Sequence, residues 1–239
     1  RDPEMSRGLG DVYKRQVPKM SYYARHGEKY DEETCYRMAQ VMIEHVKKRG
    51  RIETVASGME NLPTEGGYIM FANHQGKYDA LGVMSVHEQP CTFVMDAKRS
   101  HLFIVTQLCE LLKAKRLDKT DLRQQVQVIN DVATEIKAGR RYILFPEGGY
   151  NHNHNSLRGF LPGSFKIAQK AKCPIVPVVL YDSFKPFEGK SFRKVITQLH
   201  FLPPIPYETF ADMKTYEIRD MVVSLIQNQL DKMESLNDW

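Results

Sequence analysis

The chain has 239 residues, 42% of them hydrophobic, with a formal net charge of +5 and a pI near 8.9. That is enough apolar material for one sizeable core, and no apolar run approaches the roughly 18 residues of a membrane-spanning helix. The mild positive charge suits anionic partners such as an acidic membrane surface; no long basic run and no nucleic-acid-binding motif point to DNA or RNA.

Taken in order, the opening residues include Asp11, Val12, Tyr13, Lys14, Arg15 and Gln16, which resemble one reading frame of a sequencing-library adaptor. Residues 1–16 are therefore set aside as a non-native scar, and any anchor before Val17 would be missing from the sequence. Residues 17–50 form an N-terminal helical segment. Over 31–48, Cys35, Tyr36, Met38, Ala39, Met42, Ile43 and Val46 recur at helical spacing. The stripe reads as core packing or, with Lys47, Lys48, Arg49 and Arg51 at its end, as a face that docks on a bilayer.

Residues 51–239 read as a single further domain. Strands are expected over 52–56, 68–72, 91–95, 142–145 and 175–181, with 195–202 as an edge strand and 113–117 as a basic strand or loop. Helices are expected over 80–87, 102–112, 121–138, 163–172 and 216–233. Pro174 and Pro177 belong at the start of their strand or beside a bulge. Strands alternating with helices predict an α/β fold: a largely parallel mixed sheet flanked by helices, with the amphipathic segment ahead of it.

His74 and Asp79 stand five apart, between the apolar strand 68–72 and the helix 80–87. A strand-to-helix junction joins rigidity, exposure and free N–H donors. An imidazole held by a carboxylate is fixed in one tautomer and becomes a better base toward a hydroxyl. The bland alternative is that Asp79 caps the helix and His74 is an ordinary loop residue.

Other chemistries find less support. His152 and His154, with His74 and Asp79 in reserve, admit a zinc reading and hence a metal-dependent hydrolase, although Asn151, Asn153 and Asn155 among them suit an exposed loop. Cys35, Cys91, Cys109 and Cys173 form no C-x-x-C pair and read as reduced core thiols of a cytosolic protein. Gly189, Lys190 and Ser191 lack the earlier glycine of a phosphate loop, since Phe184 stands there, and there is no G-x-S-x-G nucleophile elbow.

Four blocks in order resemble the 1-acylglycerol-3-phosphate (lysophosphatidic acid) acyltransferase family of glycerolipid acyltransferases: Asn73, His74 and Asp79 for NHxxxxD; Lys98 with Lys115-Arg116 for the basic second motif; Phe145-Pro146-Glu147-Gly148 for FPEG; and the run from Cys173 through Pro174 and Pro177 to Val178. The resemblance implies transfer of a fatty acyl group from acyl-coenzyme A or acyl carrier protein to the hydroxyl of lysophosphatidic acid, giving phosphatidic acid. His74 would be the base and Asp79 its orienter, and Asn73, Lys98, Arg116, Glu147 and Gly148 would bind substrate. It implies no metal or cofactor besides the thioester co-substrate, and a peripheral protein on the anionic cytoplasmic face of the plasma membrane. The family's Thr-Arg after FPEG is Gly149-Tyr150 here, so a cation is missing from the expected phosphate contact. Lys98 and Arg116 are the first replacements, with Lys77, Lys115 and Arg158 behind them. A different lysolipid acceptor and an inactive lipid-binding protein remain the alternatives.

Overall fold

The computed structural model describes residues 10–26, 28–98, 100, 103–188 and 193–237. Residues 1–9, Leu102 and the Gly189-Lys190-Ser191 stretch lie outside the described residues. Strands β1 (Ile52–Ser57), β2 (Ile69–Ala72), β3 (Thr92–Asp96), β4 (Lys115–Leu117), β5 (Tyr142–Leu144), β6 (Ile175–Tyr181) and β7 (Val195–Phe201) form one sheet among the described residues, in the order β1-β7-β6-β2-β5-β3-β4. The five strands from β6 to β4 are parallel. β7 pairs antiparallel with β6 and parallel with β1, so these two run against the rest.

The strand expected over 195–202 is thus interior and not at an edge. β1 takes the edge, pairing residue for residue with β7 from Ile52–Val195 to Ser57–His200. Pro177 lies within β6, with its missing N–H on the β7 side. There the register slips by one residue between the Ile175–Ile205 bridge and the Val178–Phe201 pair, so no ladder donor is lost.

Helices α1 (Gly10–Arg25), α2 (Glu32–Gly50), α3 (Asp79–Val86) and α4 (Phe103–Leu111) lie with one face of the sheet; α5 (Leu122–Lys137), α6 (Lys166–Ala171), α8 (Tyr207–Phe210) and α9 (Thr215–Asn237) lie with the other. A short α7 (Lys185–Glu188) follows β6. The parallel strands are covered on both sides, which is why they read as unbroken apolar runs. In β2, Met70 and Ala72 join the core under α2 and α3, while Ile69 and Phe71 join the core under α5, α6 and α9. β6 divides the same way, Val176, Val178 and Leu180 against Ile175, Val179 and Tyr181.

Asp31 caps α2 by accepting from the Thr34 N–H at 2.8 Å. Its stripe of Cys35, Tyr36, Ala39, Met42, Ile43 and Val46 is buried, so it is core and not a bilayer face. α1 begins inside the stretch set aside in the sequence and packs on α2 and α4. The helix expected over 163–172 is a 3-10 turn, Pro162–Phe165, running into α6 and ended by Lys172 in the left-handed region. The C-terminal ends of β2, β5 and β6 lie side by side, the usual place for a ligand crevice in an open parallel sheet.

Candidate active site

β2 ends at Ala72 and hands the chain to a loop pinned onto the end of β6. The Asn73 amide donates to the Leu180 carbonyl at 2.9 Å and accepts the Leu180 N–H at 2.8 Å. Gln75, fully buried, donates to the same carbonyl at 2.8 Å and accepts the Ser183 N–H at 2.8 Å. These bonds hold the loop against the end of β6, and it folds the side chains of residues 74 and 79 together.

Asp79 is 0% exposed, and its carboxylate takes four donors. Oδ2 accepts from His74 Nδ1 at 2.6 Å, the Gln75 N–H at 2.6 Å and the Gly76 N–H at 3.0 Å; Oδ1 accepts the Ser183 hydroxyl at 2.7 Å. Asp79 is the first residue of α3, and the helix has no side-chain cap at Tyr78. Its carboxylate turns back to N–H groups that precede the helix, so the capping reading fails on geometry. Because a carboxylate only accepts, Nδ1 of His74 carries the proton and Nε2 presents its lone pair.

His74 is 18% exposed in its side chain. Its ring stacks on Phe145 at 4.5 Å and makes a T-shaped contact with Tyr150 at 4.8 Å. Its N–H donates to Glu147 Oε1 at 2.9 Å. The imidazole forms part of the wall of a cavity of about 430 Å3 that crosses the C-terminal edge of the sheet. On one side the wall is Met42, Leu81 and Leu108; on the other it is Ile129, Leu161 and Ile167. A long apolar chain fits such a space, and the His74 imidazole faces it.

β5 delivers Phe145-Pro146-Glu147-Gly148. Burial pushes the Glu147 carboxyl up to about 7, against the opposing pull of the His74 N–H and the charge of Arg158. Oε2 of Glu147 is buried and has no hydrogen-bond partner. Gly148 and Gly149 have φ of +70° and +143°, backbone that L side chains avoid, and both border the cavity.

Of the residues singled out from sequence, His74, Asp79, Glu147 and Gly148 come together. Asn73 adjoins them but is buried, with both ends of its amide held by Leu180, so it positions the loop and does not face the cavity. Lys98 and Arg116 are off the cavity wall: Lys98 is exposed beyond β3, and the Arg116 guanidinium donates to the Ser100 hydroxyl at 3.1 Å. Of the reserves, Lys115 pairs with Glu135 and Arg158 donates to the Gly149 carbonyl, whereas Lys77 is on the wall. So is Lys119, a residue the motif reading passed over, which is paired with Asp96. Its signal was its place just past the end of β4, where parallel strands present functional groups. Ser183 and Gln75 were also missed.

His152 and His154 both turn to Glu188, at 3.1 and 3.2 Å, and do not gather with His74 and Asp79. Among the described residues no group of three or more His, Cys, Asp or Glu is placed to hold a metal ion. The four cysteines are buried and unpaired, with burial pushing Cys91 and Cys173 up to about 12 and Cys109 to about 11. They are core thiols, not nucleophiles.

Glu147 makes stability depend on pH. With its folded value at about 7, above an ordinary carboxyl, the native state holds a proton that the unfolded chain releases, so stability falls as pH rises through about 4.5 to 7. At roughly 1.4 kcal/mol per unit the loss reaches about 3 kcal/mol. Glu147→Gln keeps an acceptor for the His74 N–H and removes the loss. Urea denaturation at mildly acidic and mildly alkaline pH should show the variant matching the parent in acid and exceeding it in alkali; equal stabilities in alkali would contradict this.

Set against known proteins, the chain matches the family profile described as Acyltransferase over residues 53–181. It is 32% identical over 178 residues to human 1-acyl-sn-glycerol-3-phosphate acyltransferase alpha, covering 72% of this chain and 62% of that protein. To the 1-acyl-sn-glycerol-3-phosphate acyltransferase of Borreliella burgdorferi it is 27% identical over 187 residues, covering 76% and 71%. Its fold superposes on the crystal structure of the 1-acyl-sn-glycerophosphate (LPA) acyltransferase, PlsC, from Thermotoga maritima with a TM-score of 0.74 at 19% identity, over 99% of this chain and 96% of that one. The chain spans about three fifths of the length of the human relative. With more than half of its residues inside the matched profile, the His74–Asp79 pair and Glu147 among them, this chain belongs to the acyltransferase family.

Proposed function

We propose that the protein transfers a fatty acyl group from a thioester, acyl-coenzyme A or acyl carrier protein, to the free hydroxyl of 1-acylglycerol-3-phosphate, giving phosphatidic acid. One observation carries the reading: the His74 imidazole, its Nδ1 2.6 Å from a fully buried carboxylate, on the wall of a largely apolar cavity. The curated relatives bear the name of this reaction.

Nε2 of His74 removes the proton of the acceptor hydroxyl as its oxygen attacks the thioester carbonyl. The tetrahedral oxyanion collapses, the carbon–sulfur bond breaks, and the proton held on His74 passes to the departing thiolate. A thiolate leaves readily, so one oriented base suffices and no serine or cysteine ester is needed. The chemistry calls on no cofactor beyond the thioester. Lys77 and Lys119, the latter paired with Asp96, are with the glycine backbone at 148–149 the groups we assign to the acceptor phosphate, since Lys98 and Arg116 are off the cavity wall. No described helix is long and apolar enough to cross a membrane, and we place the protein peripherally on an anionic, cytoplasmic-facing membrane surface.

Asp79→Asn should lower kcat for lysophosphatidic acid by roughly three to four orders of magnitude, as when an oriented base loses its carboxylate. Since the amide can accept on one atom only, stability should also fall by about 1–2 kcal/mol. A variant with near-normal kcat would remove His74–Asp79 from the chemistry. Ser183→Ala removes one donor of four and should reduce kcat about tenfold with KM little changed; an unchanged kcat would make that hydroxyl a packing group.

Acceptor recognition separates on KM. Lys119→Met should raise KM for phosphate-bearing lysolipids by about tenfold or more and leave neutral ones nearly unaffected, while Arg116→Ala does much less. Equal effects of Lys119→Met on both acceptor classes would move the phosphate elsewhere and favour a different lysolipid acceptor, a reading supported by Tyr150, which packs against the His74 ring at 4.8 Å where the resembled family carries an arginine.

A further inference from the structure

One acid stands in the cavity wall among the described residues: Asp96, the last residue of β3. Its Oδ2 pairs with Lys119 Nζ, and its Oδ1 accepts the Lys98 N–H at 2.9 Å. The side chain is 21% exposed, so the charge is partly withdrawn from water and held in place. Beside a site for a phosphate alone such a carboxylate is a misfit. It repels the ligand's charge and neutralises the lysine that would attract it.

The sheet fixes what lies between this acid and the base. The order β2-β5-β3 puts His74 past the end of the first strand, the glycine turn at 148–149 past the second, and Asp96 at the end of the third. Lys119 belongs to the middle of that line, because a Cβ added at Gly149 would come within 3.9 Å of its Nζ. Two strand spacings amount to roughly 10 Å. The extended arm of a phosphoethanolamine lysolipid, from glycerol hydroxyl through phosphate to ammonium, covers about that span, with the phosphate near its middle. Charge agrees with length. The resembled family's arginine after FPEG is Tyr150 here, and the cations on the described wall are Lys77 and Lys119. Two lysines against one acid suit the single charge of a phosphodiester more closely than the nearly double charge of a phosphomonoester.

We propose that Asp96 and Lys119 form a head-group site for a lysophospholipid whose phosphate bears ethanolamine, the phosphate at Lys119 and the glycine turn and the ammonium on Asp96, which makes that lipid a second acyl acceptor. Each carboxylate oxygen accepts more than one hydrogen bond, so an ammonium can join Lys119 there. This second activity rests on the acyl-transfer reading and widens it. The secondary hydroxyl bonds to the acyl carbon as the carbon–sulfur bond breaks, and its proton passes through His74 to the thiolate. The products are a diacyl phosphoethanolamine lipid and a free thiol.

The test is the initial rate of the full chain with one acyl thioester and three acceptors: lysophosphatidic acid, lysophosphatidylethanolamine and lysophosphatidylglycerol. The ethanolamine lipid should come within about tenfold of lysophosphatidic acid in kcat/KM. It should exceed the glycerol lipid, a phosphodiester without an ammonium, by about tenfold or more. Asp96→Asn keeps an acceptor for the Lys98 N–H and should move two KM values in opposite directions. That of the ethanolamine lipid rises about tenfold, while that of lysophosphatidic acid falls severalfold as its phosphate meets an unneutralised Lys119. A carboxylate that only supports the fold or the lysine would raise both. A parent that acylates lysophosphatidic acid alone, or a variant that shifts both KM values the same way, overturns the proposal and leaves the proposed function standing. Calorimetry with short-chain monomeric lysolipids and no thioester supplies the other arm. A parent that binds the ethanolamine lipid through Asp96 yet acylates no acceptor would uphold the head-group site and overturn acyl transfer to either lipid.

Discussion

A carboxylate with no exposure to water has to be satisfied by hydrogen bonds, and that requirement at Asp79 governs the site. Its four donors come from the loop after β2, from the His74 ring and from the segment after β6. The charge is thus a constraint on shape before it is a participant in chemistry: it folds the 73–79 loop, orients one imidazole, and ties the ends of two adjacent strands.

The rest of the fold supplies what that constraint needs. Parallel pairing of β2 with β5 and β6 sets three strand ends side by side, so residues distant in sequence meet without long loops. β5 brings Phe145 to stack beneath the imidazole and Glu147 to hold its backbone N–H. The paired glycines at 148–149 let the chain turn at positive φ beside the cavity instead of closing it. Apolar residues from both cores then continue as the cavity wall, so the cavity lies at the end of the sheet where the two hydrophobic layers come together.

Much of this was legible in the sequence where periodicity is strong or spacing is short. β2, β5 and β6 are buried on both faces and show as unbroken apolar runs, and α5 shows its stripe. The His74–Asp79 pair was visible because both members lie in one loop. Ser183 was not, since its hydrogen bond to Asp79 spans 104 positions and nothing local marks it. Arg116 and Lys119 show another limit: both are basic and three apart, and only the end of β4 and the turn after it decide which faces the cavity. β7 was misplaced at the edge because its apolar pattern says nothing of the partner that covers it, and β1 came from far earlier in the chain. The stripe on α2 had two physical readings, and only packing against the sheet chose core.

The account stands on the protonation of one ring. Nitrogen-15 NMR of the His74 imidazole, at a pH where the ring is neutral, should show Nδ1 protonated and strongly hydrogen-bonded, with Nε2 bare toward the cavity. A bare Nδ1 with the proton on Nε2 would mean that the buried carboxylate does not orient this histidine as a base.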